Sequence, residues 1–103
     1  MKKTYNKLVR DLIPEIIEES GKKCSIEILN DEEYIKEIDA KLDEELAEYH
    51  KDQNVEELAD LLEVIYAAAR VRGCSKDELE NIRVVKAQER GVFDKRILLK
   101  EVE

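Results

Sequence analysis

The apolar positions of this chain recur with two periods, and the switches between them mark its elements. Ile13, Ile16 and Ile17 share one side of a helix. Asp11 stands ahead as an N-cap, Pro14 is tolerated in a first turn, and Gly21 supplies a stop, so a first helix is expected from Asp11 to about Ser20. Cys24 to Leu29, CSIEIL, then alternates in the manner of a strand. At Asn30 the period returns to that of a helix. Asn30-Asp31-Glu32-Glu33 reads as a capping box opening a second helix over about 31–51. Its apolar arc is Tyr34, Ile35, Ile38, Leu42, Leu46 and Tyr49. A short polar break, Lys51-Asp52-Gln53-Asn54, precedes a third helix that starts after Asn54 and ends near Gly73. Its arc is wide: Leu58, Leu61, Leu62, Val64, Ile65, Ala68 and Val71. Ser75-x-x-Glu78 is another capping box and opens a fourth helix to about Arg90, with Gly91 as its stop. The tail from Phe93 to Val102 reads in part as a strand. The pattern predicts a mainly α fold of four helices, with a small two-stranded ribbon pairing about 24–29 with 95–102.

Four acids break the division between apolar and polar faces. At about 100° per residue, Glu45 falls inside the arc of the second helix and Glu48 at its edge. On the third helix Glu57 falls inside the arc and Asp60 at its edge, whereas Glu56 and Glu63 point away. Lone carboxylates facing a core are rare. If the break is a tight turn, the two helices run antiparallel, Glu48 faces Glu57, and Glu45 faces Asp60. Like charges converging in this way require protons or a cation. Carboxylate oxygens are hard ligands, which suit Mg²⁺ or Mn²⁺. The plainer reading is an acidic helical hairpin in which Glu57 only closes a capping box with Asn54.

Length and charge narrow the classes. The 103 residues predict a single domain over 1–103. The formal net charge of −8 argues against binding a nucleic-acid backbone and admits a phosphate substrate only through a bridging metal. Without an apolar run of membrane-spanning length or a signal-peptide pattern, a cytoplasmic protein is expected, with no membrane partner. Cys24 and Cys74 match no metal-ligand spacing and are expected as free thiols; His50, the only histidine, gives little support to nucleophilic hydrolase chemistry.

Basic residues are the remaining signal. Leu79, Arg83, Lys86 and Arg90 share a face of the fourth helix, with Lys86 on its apolar side. Such a stripe either neutralises the acids as structural ion pairs or clamps a bound phosphate. Lys7 and Arg10, near the basic N-terminus, are further phosphate-binding candidates.

With these residues laid out, Glu44-Glu45-Leu46-Ala47-Glu48 followed by Glu57-Leu58-Ala59-Asp60 resembles the E-E-x-x-E and E-x-x-D motifs of the all-α nucleoside triphosphate pyrophosphatase superfamily, which includes MazG-like proteins and phosphoribosyl-ATP pyrophosphohydrolase. The segments Tyr5 to Asp11 and Lys86 to Phe93 resemble its phosphoribosyl-ATP-pyrophosphohydrolase-like subgroup. The resemblance implies an all-α bundle of that type. It also implies Mg²⁺-dependent cleavage between the α and β phosphates of a nucleotide, giving a monophosphate and pyrophosphate. Glu45, Glu48, Glu57 and Asp60 would be the metal ligands. Glu44 would join through a second metal or position the water. The spacing between Glu48 and Glu57 is shorter than in most MazG-like relatives. Glu63 follows Asp60-Leu61-Leu62, where Tyr-His commonly follows in phosphoribosyl-ATP enzymes. The shorter spacing implies a different pocket mouth, and the missing Tyr-His points away from phosphoribosyl-ATP and to house-cleaning of ordinary or modified (deoxy)nucleotides. A homodimer or homotetramer is expected, from the resemblance and from the wide arc around Ala67-Ala68-Ala69. The competing class is a non-catalytic helical interaction module whose acids are vestigial or hold a structural cation.

Overall fold

A computed structural model describes residues 2–103. Its regular structure is helical: α1, Ile13–Glu19; α2, Asp31–Asp52; α3, Val55–Val71; α4, Lys76–Arg90. Among the described residues there is no strand.

The body is the α2–α3 hairpin, and local chemistry sets its turn. The Asn30 side chain accepts from the Glu33 N–H at 2.9 Å and starts α2, with Asp31, Glu32 and Glu33 lying favourably against the positive end of the helix dipole. Gln53 ends the helix in the left-handed region, φ 51°, and its N–H donates to the Tyr49 carbonyl at 2.7 Å. Asn54 is extended, and its side chain accepts from the Glu57 N–H at 3.0 Å. Gln53 and Asn54 alone therefore reverse the chain, and α2 continues one residue past its expected end, through Asp52, into the segment expected as the break. The hairpin buries little: Ile38 is 4% exposed, and the apolar residues around it are only half-buried.

Ser75 and Glu78 cap α4 reciprocally, with Glu78 N–H to Ser75 Oγ at 3.1 Å and Ser75 N–H to Glu78 Oε1 at 3.3 Å. Lys76 Nζ lies 4.8 Å from the centre of the Tyr66 ring and ties the start of α4 to α3. Among the described helices, α4 packs only against α3. The molecule measures 61 × 31 × 24 Å, with a radius of gyration of 18.0 Å. A compact chain of this length has a radius of gyration of about 13 Å. Among the described helices α1 packs against no other and α4 against one, which accounts for the difference.

Two expectations are corrected. Asp11 does not cap α1. The Ile13 N–H donates to the Arg10 carbonyl at 3.0 Å, so residues 10–13 close a turn that contains Asp11, and Leu12 precedes the helix without a side-chain cap. Pro14 does occupy the first turn. The ribbon also does not form. Residues 24–29 and 95–102 are extended, but no ladder joins them. A two-stranded ribbon with no third layer is marginal in water, and neither segment has a body to lie on.

Candidate metal centre

The two-residue turn places one face of α2 against one face of α3, and acids from both meet there. One carboxylate oxygen each from Glu45, Glu57 and Asp60 lie within 4.8 Å of one another. A second group, Glu48, Asp52 and Glu57, meets the same limit. Glu57 belongs to both. The expected facing of Glu48 with Glu57 and of Glu45 with Asp60 is thus present, and Glu57 is the hinge of the arrangement.

Glu57 reaches this position because it leaves its cap half made. Asn54 takes the Glu57 N–H, but the Glu57 carboxylate does not return to Asn54 as Glu78 does to Ser75. It turns among the other acids instead. Partial desolvation, then the charge and hydrogen bond of Asp52, then the charges of Asp60 and Glu48, raise its pKa above the usual carboxylate value.

The donor set passes a simple test of fit. Mg–O distances of 2.0–2.1 Å put oxygens about 2.9 Å apart when adjacent and about 4.2 Å apart across an octahedron. Oxygens already within 4.8 Å need only small side-chain rotations to share one ion. Glu45, Glu57 and Asp60 are the set that could hold it, with Glu48 and Asp52 alongside.

Cations surround the acids without entering between Glu48, Asp52 and Glu57. Lys7 Nζ donates to Glu44 at 2.9 Å. Lys41 Nζ lies 3.2 Å from Glu44 and 3.6 Å from Glu45. Arg10 lies 2.7 Å from Asp60 and 3.9 Å from Glu63. The hydrogen bond from Lys7 holds Glu44 below the usual carboxylate range, and Glu44 in turn raises the Lys7 ammonium. Of these, Lys41 is the least exposed: its side chain is 18% exposed, beside Glu45 at 14%.

The sequence-based assignment missed Lys41 and Asp52. Both signals were in the helical register. Asp52 follows Glu48 by four residues and Glu45 by seven, and Lys41 precedes Glu45 by four, so all lie on one stripe. Lys7 and Arg10 reach the site as expected, but they rest on carboxylates. Lys86 and Arg90 do not face the core as a stripe aimed inward would. Both are exposed and border a shallow groove on α4 with Asn81, Ile82, Val85 and Glu89. Neither pairs with an acid among the described residues. Arg83, from the same stripe, pairs with Glu80 of its own helix. His50 is exposed near the end of α2, and Cys24 and Cys74 are free thiols.

An uncharacterized protein of Mycolicibacterium smegmatis is 58% identical to this chain over 41 residues, a match covering 40% of this chain and 42% of that relative's length. No protein-family model matches the chain, and no solved structure matches it.

Proposed function

We propose that this chain is a Mg²⁺-dependent nucleotide pyrophosphohydrolase, an all-α bundle of the MazG-like type. It would cleave the α–β phosphate bond of a (deoxy)nucleoside triphosphate or related nucleotide, releasing a monophosphate and pyrophosphate, in a house-cleaning role. The observation that carries the reading is Glu57, held among Glu45, Asp60, Glu48 and Asp52, with its proton affinity raised by partial desolvation and then by Asp52, Asp60 and Glu48. A site of this kind is poised for a cation. The resemblance of the two acidic motifs supplies the reaction class.

When bound, Mg²⁺ would neutralise phosphate charge and draw electron density from the scissile bond. Glu45, Glu57 and Asp60 would hold the ion, and Glu48 and Asp52 complete the acidic wall. The hydrogen bond from Lys7 lowers the Glu44 pKa, which weakens it further as a base. A weak base of this kind accepts a hydrogen bond from water and aims it at phosphorus, rather than removing its proton outright. Lys86 and Arg90 are exposed and free of the acids, which leaves them available to a phosphate. The partners are the nucleotide and a second copy of the chain.

One observation favours the non-catalytic reading. Lys7, Lys41 and Arg10 already compensate Glu44, Glu45 and Asp60, as in a static polar cluster. A panel of nucleoside and deoxynucleoside triphosphates, assayed with Mg²⁺ for pyrophosphate release, separates the two. Outer-shell changes at metal sites cost about 10–100-fold, so Glu57→Gln is expected to lose at least that much turnover. No pyrophosphate from any nucleotide, or equal turnover by wild type and Glu57→Gln, rejects the enzyme.

A further inference from the structure

Residues 2–12 are joined to the helical body by side chains alone. Among the described residues, the backbone hydrogen bonds of this segment run within it or into α1: the Arg10 carbonyl accepts from the Ile13 N–H and the Leu12 carbonyl from the Ile16 N–H. α1, which follows, packs against no other described helix. The polar attachment comes from two cations. Lys7 Nζ donates to Glu44 of α2 at 2.9 Å, and Arg10 Nη2 donates to Asp60 of α3 at 2.7 Å. Leu8, between them, is half-buried. Three residue steps reach about 10 Å, which is about the spacing of two packed helix axes. Residues 7–10 therefore form a strap across the seam of the hairpin, with one cation on each helix.

The strap ends on the acids of the candidate metal centre. Asp60 belongs to the Glu45–Glu57–Asp60 group, and Glu44 adjoins Glu45. A cation among those acids and the strap draw on the same negative charge. Lys41 differs from Lys7 and Arg10 in this respect. It is a residue of α2, so it stays beside Glu44 and Glu45 whether the strap is docked or not. The strap pairs are also weak. Their four side chains are 32–56% exposed. An exposed ion pair shifts an equilibrium by up to about fivefold, and two together by up to about 25-fold. That is enough to bias the segment onto the hairpin, and little enough for a bound divalent cation to overcome.

We propose that residues 7–10 are an electrostatic latch, docked on Glu44 and Asp60 while the acids hold no cation and released when a divalent cation enters their group. The exchange conserves charge at the acids: two strap cations leave as the two charges of Mg²⁺ arrive. By linkage, the docked strap weakens cation binding by the same factor by which the cation favours the free strap. Release leaves Lys7 and Arg10 without carboxylate partners, so they become available to an anion only once metal is in place. The static polar cluster formed by the same pairs is then the resting state of a switch. The latch rests on the cation site proposed for Glu45, Glu57 and Asp60, and a separate measurement of metal uptake tells the two apart.

The chain contains no tryptophan, so Tyr5→Trp places a single indole two residues ahead of Lys7, at a position that is 61% exposed. Its fluorescence anisotropy reports whether the segment is held, and calorimetry on the same samples reports Mg²⁺ uptake. Ionic strength is matched throughout, because salt screens exposed pairs. In a chelator, adding Lys7→Gln and Arg10→Gln to the Tyr5→Trp chain is expected to lower the anisotropy. Mg²⁺ is expected to lower the anisotropy of Tyr5→Trp to that of the triple variant, and to leave the triple variant unchanged. The triple variant is also expected to bind Mg²⁺ more tightly, by up to about 25-fold. All three side chains are exposed, and unchanged far-ultraviolet circular dichroism verifies that the helices are intact. Mg²⁺ uptake with constant anisotropy overturns the latch and leaves the metal centre standing. So does equal anisotropy of the two chains in chelator, or Mg²⁺ binding by the triple variant that is no tighter. No uptake by either chain overturns the metal centre and the latch together.

Discussion

Arg10 Nη2 lies 2.7 Å from the Asp60 carboxylate, fifty residues further along the chain. The contact carries the N-terminal arm onto α3, at an acid that also belongs to the Glu45–Glu57–Asp60 group. A guanidinium and a divalent cation would compete for the charge of that carboxylate. Exposed ion pairs are worth up to about 1 kcal/mol, which corresponds to about fivefold in an equilibrium constant. Arg10→Gln is therefore expected to raise Mn²⁺ affinity up to about fivefold in calorimetry, with little change in stability. Weaker metal binding by the variant would mean that Arg10 supports the site rather than competing for it.

The pH dependence has a definite sign at Glu57. Its folded pKa is raised, so its contribution to stability is present below the ordinary carboxylate pKa and is lost as pH rises through the raised value. At pH 7 without metal, the Glu57 charge opposes folding. Glu57→Gln is expected to melt above the wild type at pH 7 in a chelator, and the order is expected to reverse when Mg²⁺ is added. Glu44 behaves oppositely. Its pKa is lowered, so its stabilisation is present above the ordinary value and fades as pH falls through the lowered one. Thermal melts at pH 4 and pH 7, with and without Mg²⁺, check both. A Glu57→Gln variant that melts below the wild type in chelator at pH 7 contradicts the assignment.

Lys41 bridges Glu44 and Glu45 from the least exposed position of any cation near the site. Removing it leaves the partly buried Glu45 without its cation, while Glu44 keeps Lys7, which costs about 1–3 kcal/mol. Lys41→Met is expected to lower the urea midpoint accordingly, and Mg²⁺ is expected to restore part of the loss by supplying the missing charge. A loss below about 0.5 kcal/mol would place Lys41 among ordinary surface residues.

The helices were legible because their ends are written in local chemistry: Asn30, Asn54 and Ser75 each cap the element the sequence assigns them. The meeting of Glu45, Glu48, Glu57 and Asp60 was legible because helical register and a short turn fix which faces oppose. Asp52 was assigned to the break because the turn was taken as four residues, when Gln53 in the left-handed region needs only Asn54 beside it. Asp11 failed as a cap because a backbone turn from Arg10 to Ile13 took its place. The ribbon was misread for a different reason. Alternation in CSIEIL records a face to be covered, but says nothing about whether the covering chain is its own.

Spacing leaves two equal readings for Lys86 and Arg90, structural partners of the acids or a phosphate clamp. Structural partners of the acids would leave carboxylates unpaired when removed, at about 3–5 kcal/mol for a buried pair. Both residues are exposed on α4, and the acids pair instead with Lys7, Lys41 and Arg10. Lys86→Met and Arg90→Met are therefore expected to melt within about 0.5 kcal/mol of the wild type. If they clamp phosphate, the loss appears only with nucleotide present. A charge-assisted hydrogen bond is worth about 1.5–3 kcal/mol, so kcat/KM is expected to fall about 10–100-fold for each variant. Added Mg²⁺ would not restore it, because the ion would sit among the acids and not on α4. Unchanged kcat/KM in both variants would remove the clamp and return this face of α4 to solvent, whereas early melting with full specific activity would revive the structural reading.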